Sequence, residues 1–219
     1  MWPTGGVQMT DQEKIIHRKL MIDFLMYLNG KTNKYVLKGG TSLMLCYGLT
    51  RFSEDIDLDG FTGGFFNIIN GFIEQYRYKY AGISQRNAKD TDTVKRAIIH
   101  YNGDKKLKVE VSYRLKSANG YKVININGIS VYTIDSIMIF KLNAYNKRDK
   151  IRDLYDITFI YNNYKNQLNA MIINQLRDVI AFDGFSKFDY LVHNQEDNLI
   201  NIDELTENFL KMYYDLGLN

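Results

Sequence analysis

The chain has 219 residues, of which 45% are hydrophobic and 24% are charged, the balance of an ordinary soluble globular protein. This length allows one large domain or two small ones, each with a real core. No apolar run approaches the ~20 residues of a membrane span, so no membrane association is expected. The single cysteine, Cys46, excludes an internal disulfide, and the three scattered histidines argue against a zinc site of the His/Cys type.

The charge of the chain is uneven along its length. The net charge is +3, but the part from Asp183 onward has eight acidic residues and two lysines, which leaves +9 on the first 182 residues. A basic body with an acidic end suits a polyanionic partner, although a globular protein with uneven surface charge has the same pattern. The first eight residues, MWPTGGVQ, lack the basic and apolar stretches of a signal peptide, so the expected location is the cytoplasm.

Helical and strand patterns alternate over the first ~130 residues and become almost entirely helical after that. The predicted elements are, in chain order, a helix at 11–29, a strand at 35–38, a short helix at 41–48, a strand at 53–59, a helix at 65–80, a hairpin of strands at 93–101 and 105–113 joined through Asn102-Gly103-Asp104, short strands within 121–133, and helices at 135–147, 150–163, 166–181 and 203–216. This order predicts an α+β domain over residues 1–133 and a C-terminal helical bundle over residues 134–219.

The stretch KGGTSL, residues 38–43, lies where a predicted strand passes into a predicted helix. Glycines let the backbone approach a phosphate group closely, and a helix N-terminus offers N–H groups and the positive end of a dipole. Thr41 or Ser42 can cap this helix or contact a phosphate. Gly39, Gly40, Thr41 and Ser42 are therefore candidate phosphate-binding residues, although a Gly-Gly turn alone can be only a turn.

Asp55, Asp57 and Asp59 occupy every second position of the next predicted strand. Side chains at i and i+2 share one face of a strand, about 6.5–7 Å apart, so these carboxylates repel one another unless a cation lies between them. Carboxylate oxygens of this kind suit Mg²⁺ or Mn²⁺. A solvated edge strand also explains the alternation. However, the aspartates lie within twenty residues of the Gly-Gly turn, which favours a metal–triphosphate site.

The stretches GGTSL and RFSEDIDL resemble the first motif of the minimal nucleotidyltransferases, the superfamily of DNA polymerase beta. They are most similar to the AbiEii/AbiGii toxin-like branch, found in bacterial abortive-infection and toxin–antitoxin systems. The resemblance covers roughly residues 35–160 and implies the mixed sheet of that superfamily, flanked by helices. The positions that match the motif are Gly39, Gly40, Thr41, Ser42, Arg51, Ser53, Asp55 and Asp57.

The same resemblance implies a third carboxylate on a neighbouring strand. In the stretch KKLKVEVSY, alternate apolar residues form one face, and Glu110 on the other face is the natural third metal ligand. Lys108 lies beside it as a candidate phosphate contact. The strand pattern by itself is equally consistent with a polar face open to water.

Residues 141–156, KLNAYNKRDKIRDLYD, resemble a later motif of the family. The resemblance implies that Lys141 contacts nucleotide phosphates and that Asp153 or Asp156 is needed for activity. With Lys141, Arg148 and Arg152 would then form a basic wall, a row of cationic side chains over the triphosphate, in which an aspartate holds an arginine in position. The alternative is a helix surface with ordinary ion pairs, because Arg152 and Asp156 are i, i+4 neighbours.

The resemblance implies a metal-dependent transfer of an NMP from an NTP to an acceptor hydroxyl, by a toxin that modifies RNA, with the tRNA 3′ end as target and an antitoxin encoded nearby. Residues 76–96, rich in Arg, Lys and Tyr, have a composition that can bind RNA, although a solvated loop has it too. Two other functions remain open. One is a non-catalytic module that binds nucleotide or RNA. The other is a kinase that uses the same metals, in which the acceptor attacks the γ-phosphate of the NTP.

Overall fold

The computed structural model describes residues 9–118 and 120–218. The prediction that residues 1–8 are not a signal peptide lies outside the described residues. Besides a 3₁₀ turn at Lys165–Gln167, the described elements are α1 (Asp11–Lys31), β1 (Tyr35–Lys38), α2 (Gly39–Cys46), β2 (Asp55–Gly60), α3 (Phe65–Tyr76), β3 (Ser84–Asp90), β4 (Val94–Tyr101), β5 (Lys105–Ser112), β6 (Val123–Ile126), β7 (Ile129–Tyr132), α4 (Ile134–Tyr145), α5 (Ile151–Tyr164), α6 (Ala170–Asn194) and α7 (Ile202–Asp215).

The strands form one mixed sheet in the order β3-β4-β5-β2-β1-β7-β6. β4 is antiparallel to β3 and β5, whereas β2 is parallel to β5 and β1 is parallel to β7. Parallel neighbours need a crossover, and antiparallel neighbours need only a hairpin, so helices separate the former and turns separate the latter. The predicted α+β fold, a mixed sheet with flanking helices and further helices at the C-terminus, is confirmed.

The chain divides into two compact units. The first contains Met1–Val36, Glu54–Ser117 and Asn125–Ser130, and the second contains Leu37–Ser53, Ala118–Ile124 and Val131–Asn219. α1, α3 and β2–β5 thus belong to the first unit, and α2 and α4–α7 belong to the second. The domain division predicted at residues 133 and 134 remains a prediction.

The core of the first unit lies where α1 and α3 pack together and where the strands present their apolar faces. Phe24 and Phe72 are fully buried and meet edge to face, with ring centroids 5.3 Å apart. Along β2 and β5 every second side chain is buried, including Ile56 and Val109. Burial of each of these side chains stabilises the fold by about 1.5–3 kcal/mol. The buried positions also set which face of each strand is polar.

In the second unit, α5 packs against α4 and α7. Leu142, Leu154 and Phe209, one from each of these helices, are fully or almost fully buried. α6 bends at Gly184, whose φ of 57° and ψ of −159° are not helical. None of the helices in the described part of the chain has both the length and the apolar character needed to cross a membrane.

Two elements differ from the predicted ones. β3, with the sequence SQRNAKD, was not predicted, because it has no apolar alternation and nearly all its side chains are exposed. It is a strand because its backbone pairs with β4, from Ser84 opposite His100 to Asp90 opposite Lys95. The helix predicted at 166–181 begins at Ala170 and reaches a bend at Gly184, and the helical segment after the bend, which ends at Asn194, was not predicted.

Candidate functional site

The Gly-Gly turn that opens α2 belongs to the second unit. Gly39 has a φ of +75°, a left-handed conformation that residues with a side chain rarely adopt. A Cβ added at Gly40 would lie 2.5 Å from Nη2 of Arg51. The two glycines are therefore required for different reasons, one for the turn and the other for the close approach of a guanidinium group.

The hydroxyl groups that follow the glycines hold this turn together. Ser42 Oγ donates to the carbonyl of Gly39 at 2.7 Å, and Thr41 Oγ1 donates to Ser53 Oγ at 2.8 Å. Thr41 and Ser42 are 1% and 0% exposed, and Lys38 at the N-cap makes no side-chain capping bond. The structure thus brings Ser53 directly to the turn, while nucleotide contacts of Thr41, Ser42 and Ser53 stay predictions.

Arg51 and Lys141 converge on one buried carboxylate. Arg51 donates from Nε and Nη2 to the two oxygens of Asp156, each at 2.7 Å, and Lys141 Nζ lies 2.6 Å from Asp156 Oδ2. Asp156 is completely buried. Burial by itself would raise the pKa of Asp156, but the Lys141 ammonium and the Arg51 guanidinium outweigh it and hold the pKa below its ordinary value.

A second buried carboxylate continues this arrangement toward solvent. Arg148 donates from Nε to Asp153 Oδ2 at 2.7 Å and from Nη2 to Asp153 Oδ1 at 3.1 Å, and Lys141 Nζ donates to Asp153 Oδ1 at 3.2 Å. Asp153 is 1% exposed, whereas the side chain of Arg148 is 58% exposed. We call Arg51, Lys141, Arg148, Asp153 and Asp156 the basic cluster.

The basic cluster has three cationic and two anionic side chains, so it carries one excess positive charge. Its aspartates are buried, and they orient cations rather than face solvent. A low-dielectric setting strengthens the attraction of this excess charge for an anion. The arrangement can therefore hold a phosphate group, with Arg148 as its most exposed donor.

Arg152, which was predicted to belong to the same wall, has a different partner. It donates from Nη2 to Asp197 Oδ1 at 3.0 Å and also makes a short bond from Nε to Asp197 Oδ2. Burial would raise the pKa of Asp197, but the hydrogen bond from Arg152 outweighs it and lowers this pKa. The i, i+4 pairing of Arg152 with Asp156 gives way to this contact with the acidic C-terminal part of the chain, and the nucleotide role of Arg152 stays a prediction.

The acidic strand, β2, belongs to the first unit. Ile56 and Leu58 are 0% and 1% exposed, while Asp55 and Asp57 on the opposite face are partly exposed. Asp59 shares their face but is only 2% exposed. The alternation therefore presents two carboxylates, and its third aspartate is part of the buried structure.

The neighbouring strands place charged side chains beside these carboxylates. In the parallel pair of β2 and β5, Asp55 is opposite Lys108 and Asp57 is opposite Glu110. The Lys108 ammonium makes a short ion pair with Asp55 Oδ2. Arg96 of β4 binds Glu110 Oε2 from both Nε, at 2.7 Å, and Nη2, at 2.5 Å. We call these five residues the carboxylate face.

Arg96 is a residue that the sequence interpretation missed, although a signal for it was present. The predicted hairpin is centred on Gly103, so a symmetric antiparallel register pairs residues whose numbers are equally distant from 103. Arg96 and Glu110 are such a pair, and the structure has this register. Counting along the hairpin would have placed a guanidinium beside the expected third carboxylate.

A buried histidine supports the start of β2. His17 of α1 is fully buried, with Nε2 2.8 Å from the carbonyl oxygen of Glu54 and Nδ1 2.5 Å from the hydroxyl of Tyr101. A carbonyl can only accept, so Nε2 carries the proton and Nδ1 of the neutral ring accepts from Tyr101. Burial lowers the pKa of His17 and raises the pKa of Tyr101 to about 12, so both groups are neutral near pH 7. The pair anchors the backbone that precedes Asp55.

The carboxylate face suits a divalent ion in the chemistry of its donors. Asp55 and Asp57 offer hard oxygens from one strand face, and Asp55 already attracts a cation in the form of Lys108. Within residues 9–118 and 120–218, however, no three His, Cys, Asp or Glu side chains form a ready metal-binding group. Glu110 is bound by Arg96, so its role as a third ligand stays a prediction.

The chain was compared with known families and solved structures. The family model described as nucleotidyl transferase AbiEii toxin, type IV toxin–antitoxin system, matches residues 23–215. No curated protein matches the chain.

Three solved structures illustrate the similarity. JHP933 from Helicobacter pylori is 30% identical, with a TM-score of 0.78 over 96% of this chain and 95% of that one. Another H. pylori protein, described as a candidate nucleotidyltransferase, is 28% identical, with a TM-score of 0.76 over 96% and 97% of the two chains. MenT4, a nucleotidyltransferase toxin from Mycobacterium tuberculosis H37Rv, is 17% identical, with a TM-score of 0.58 over 96% and 90%, which is a likeness of fold alone.

Proposed function

Because the chain belongs to the AbiEii family of nucleotidyltransferase toxins, we propose that it transfers an NMP from an NTP to a hydroxyl group of RNA, with the tRNA 3′ end as target. The family makes the chain a nucleotidyltransferase of a toxin–antitoxin system with an NTP as substrate. The RNA acceptor, the dependence on Mg²⁺ or Mn²⁺, and the roles of individual residues are the proposal.

One observation carries the proposal. Asp55 and Asp57 share a face of β2, and a cationic side chain already lies against Asp55. A divalent ion held by these two carboxylates would supply the positive charge that stabilises the transition state of phosphoryl displacement. His17 and Tyr101 fix the backbone at Glu54, so the orientation of this strand is set before any substrate binds.

The basic cluster is proposed to bind the phosphates that leave as pyrophosphate. Arg148 is exposed enough to donate directly, while Lys141 and Arg51 act mainly through their charge, because both are buried. Asp153 and Asp156 are assigned as positioning residues, since their oxygens hold these cations. In the reaction, the bond from the acceptor oxygen to the α-phosphorus forms and the bond from that phosphorus to pyrophosphate breaks. The protein contributes position and charge rather than a covalent intermediate.

An RNA acceptor is supported by a surface in the first unit. Of the three tyrosines at 76, 78 and 80, Tyr78 is 87% exposed, with the Arg77 guanidinium 4.6 Å from its ring centroid. Arg86 and Lys89 are exposed on β3. An exposed ring beside an arginine can stack a base, and exposed basic side chains can neutralise phosphates.

Labelled nucleotides test the reaction. The protein is incubated with Mg²⁺, tRNA and NTPs that carry the label on the α- or the γ-phosphate. We expect α-label on tRNA, and none on tRNA whose 3′-terminal ribose has been oxidised by periodate. Asp57→Asn should abolish labelling, and Asp104→Asn, in a loop where the side chain is 86% exposed, should not. Full activity of Asp57→Asn would refute the metal assignment.

The alternatives give other patterns of label. A kinase would transfer γ-label and leave α-label in solution, and a binding module would transfer neither. Tests in cells address the toxin role: expression should arrest growth, Asp55→Ala should relieve the arrest, and so should an antitoxin encoded nearby. Since NTPs and tRNA are cytoplasmic, we propose that the protein acts in the cytoplasm.

A further inference from the structure

The Lys108–Asp55 ion pair lies where the proposed function needs a divalent ion. The two residues are opposite each other in the parallel register of β2 and β5, so the sheet keeps them neighbours. The ammonium contacts Asp55 Oδ2, and the side chains of Lys108 and Asp55 are 35% and 42% exposed. Both groups can therefore exchange partners without unfolding of the strand pair.

The charges of the carboxylate face explain why such a pair is useful. Asp55, Asp57 and Glu110 place three negative charges on one face of β2 and β5, where Lys108 pairs with Asp55 and Arg96 pairs with Glu110. Without these cations the carboxylates would repel one another and weaken the strand pairing. With them, the folded chain tolerates the acidic face when no ion is bound.

The same pair must oppose the binding of a divalent ion. A metal ligand gives its oxygen lone pairs to the ion, and Asp55 Oδ2 is already engaged by an ammonium group. An ion at Asp55 would also lie within a few ångströms of that positive charge. The triphosphate offers the Lys108 ammonium a new partner. The lysine stem is long and flexible, and its compact ammonium group donates well to phosphate oxygens.

We propose that Lys108 is an internal counter-ion that occupies Asp55 in the absence of ligand and competes with divalent ions for it. The ion then binds weakly on its own and tightly once a triphosphate has drawn Lys108 away from Asp55. This deepens the proposed function and rests on it for the identity of the second partner, the triphosphate. By linkage, the nucleotide and the ion raise each other's affinity through this one side chain.

The test measures Mn²⁺ binding directly, by the electron paramagnetic resonance signal of the free ion, without RNA. We expect Lys108→Met to tighten Mn²⁺ binding about tenfold in the absence of nucleotide, since an ion pair and a nearby like charge are both removed. The matched control is Lys106→Met. Lys106 lies on the same face of β5, is exposed, and is opposite His100 in the hairpin, so this variant makes the same charge change two positions away. It should tighten binding about twofold at most, because exposed charges are screened.

Two further measurements separate the mechanism from general charge effects. In the Asp55→Asn background, where the ion pair is absent, Lys108→Met should tighten Mn²⁺ binding no more than Lys106→Met does. A non-hydrolysable NTP analogue should improve Mn²⁺ affinity strongly in the wild type and several-fold less in Lys108→Met. Lys108→Gln serves as the second variant if the Met variant lacks the circular dichroism spectrum or melting temperature of the wild type.

Equal Mn²⁺ affinity of Lys108→Met and Lys106→Met would overturn the proposal, and so would a complete lack of Mn²⁺ binding in every variant. Failure of the proposed function has a different signature, because it is read from α-label transfer by the wild type at saturating Mg²⁺. If the wild type transfers α-label but Lys108→Met does not bind Mn²⁺ more tightly, only the counter-ion role of Lys108 is overturned. If Lys108→Met binds Mn²⁺ more tightly but the wild type transfers no label, the counter-ion role is supported and the nucleotidyl transfer to RNA is overturned.

Discussion

Replacing Asp156 by Asn tests whether the basic cluster stabilises the second unit as its geometry indicates. Asp156 is completely buried and accepts three charge-assisted bonds, two from Arg51 at 2.7 Å and one from Lys141 at 2.6 Å. Each such bond contributes about 1.5–3 kcal/mol. Asn keeps one acceptor oxygen, and Lys141 keeps Asp153, so the full sum is not lost. We expect the free energy of unfolding to fall by about 3–5 kcal/mol, the range for a buried charge left without its partner.

Denaturation in urea, followed by circular dichroism, measures this loss. The matched control is Asp197→Asn, which also removes a carboxylate from an arginine, but at a site where the Asp side chain is 14% exposed and the Arg side chain is 42% exposed. The control should lose about 1 kcal/mol or less, as partly exposed pairs do. Equal losses in the two variants, or a loss below about 1 kcal/mol for Asp156→Asn, would refute the claim that the buried cluster is a strongly coupled network.

The pH dependence gives an independent check on the same residue. The folded-state pKa of Asp156 is lowered, so its contribution to stability is complete above the unfolded-state value of about 4. It is lost progressively as the pH falls from that value through the lower folded-state pKa. The stability difference between the wild type and Asp156→Asn should therefore be constant from pH 7 to about 5 and shrink below about pH 4. A difference that grows in acid would contradict the direction of the pKa shift.

Three other predictions follow from the same structure. Gly40→Ala should destabilise the fold by about 1–3 kcal/mol in thermal melting, because its Cβ would lie 2.5 Å from Nη2 of Arg51, which is fixed by Asp156. The control Gly30→Ala, whose Cβ would have nothing within 4 Å, should be neutral or slightly stabilising. Arg148→Ala should raise KM for the NTP about tenfold or more in the labelling assay, because its 58% exposed guanidinium is the proposed phosphate donor, and it should also lower the melting temperature, because buried Asp153 loses two of the bonds that it accepts. Tyr78→Ala should weaken tRNA binding by about 1–3 kcal/mol in a filter-binding assay and leave NTP affinity unchanged, since the exposed ring offers a stacking surface. An unchanged tRNA affinity would remove this surface from the RNA site.

Much of the fold could be read from local patterns. The helix at α1, the Asp alternation at β2 and the hairpin of β4 and β5 follow apolar periods of 3.6 and 2, because burial of one face selects the period. β3 could not be read in this way. Its polar sequence, SQRNAKD, has no buried face, and its strand form comes from backbone pairing with β4, from Asp90 opposite Lys95 to Ser84 opposite His100.

The residues proposed for the site were chosen from the sequence, but their contacts could not be. The sequence alone identified Asp55 and Asp57 as neighbours on one face, because positions two apart on a strand must share it. It also identified Lys141, Arg148, Asp153 and Asp156 as functional candidates through the family motif. The first statement rests on a short spacing that strand geometry constrains, and the second rests on the resemblance to the family.

Which charge meets which was decided only by the tertiary structure. Helical spacing suggests Arg152 for Asp156, but the partners are Arg51, 105 residues away in sequence, and Lys141, while Arg152 meets Asp197. Arg51 reaches Asp156 because Gly40 leaves it room, and Lys108 reaches Asp55 because β5 pairs with β2 in one register. The physical reason is that an ion pair depends on distance and burial in space, and the fold brings together groups that no local period relates.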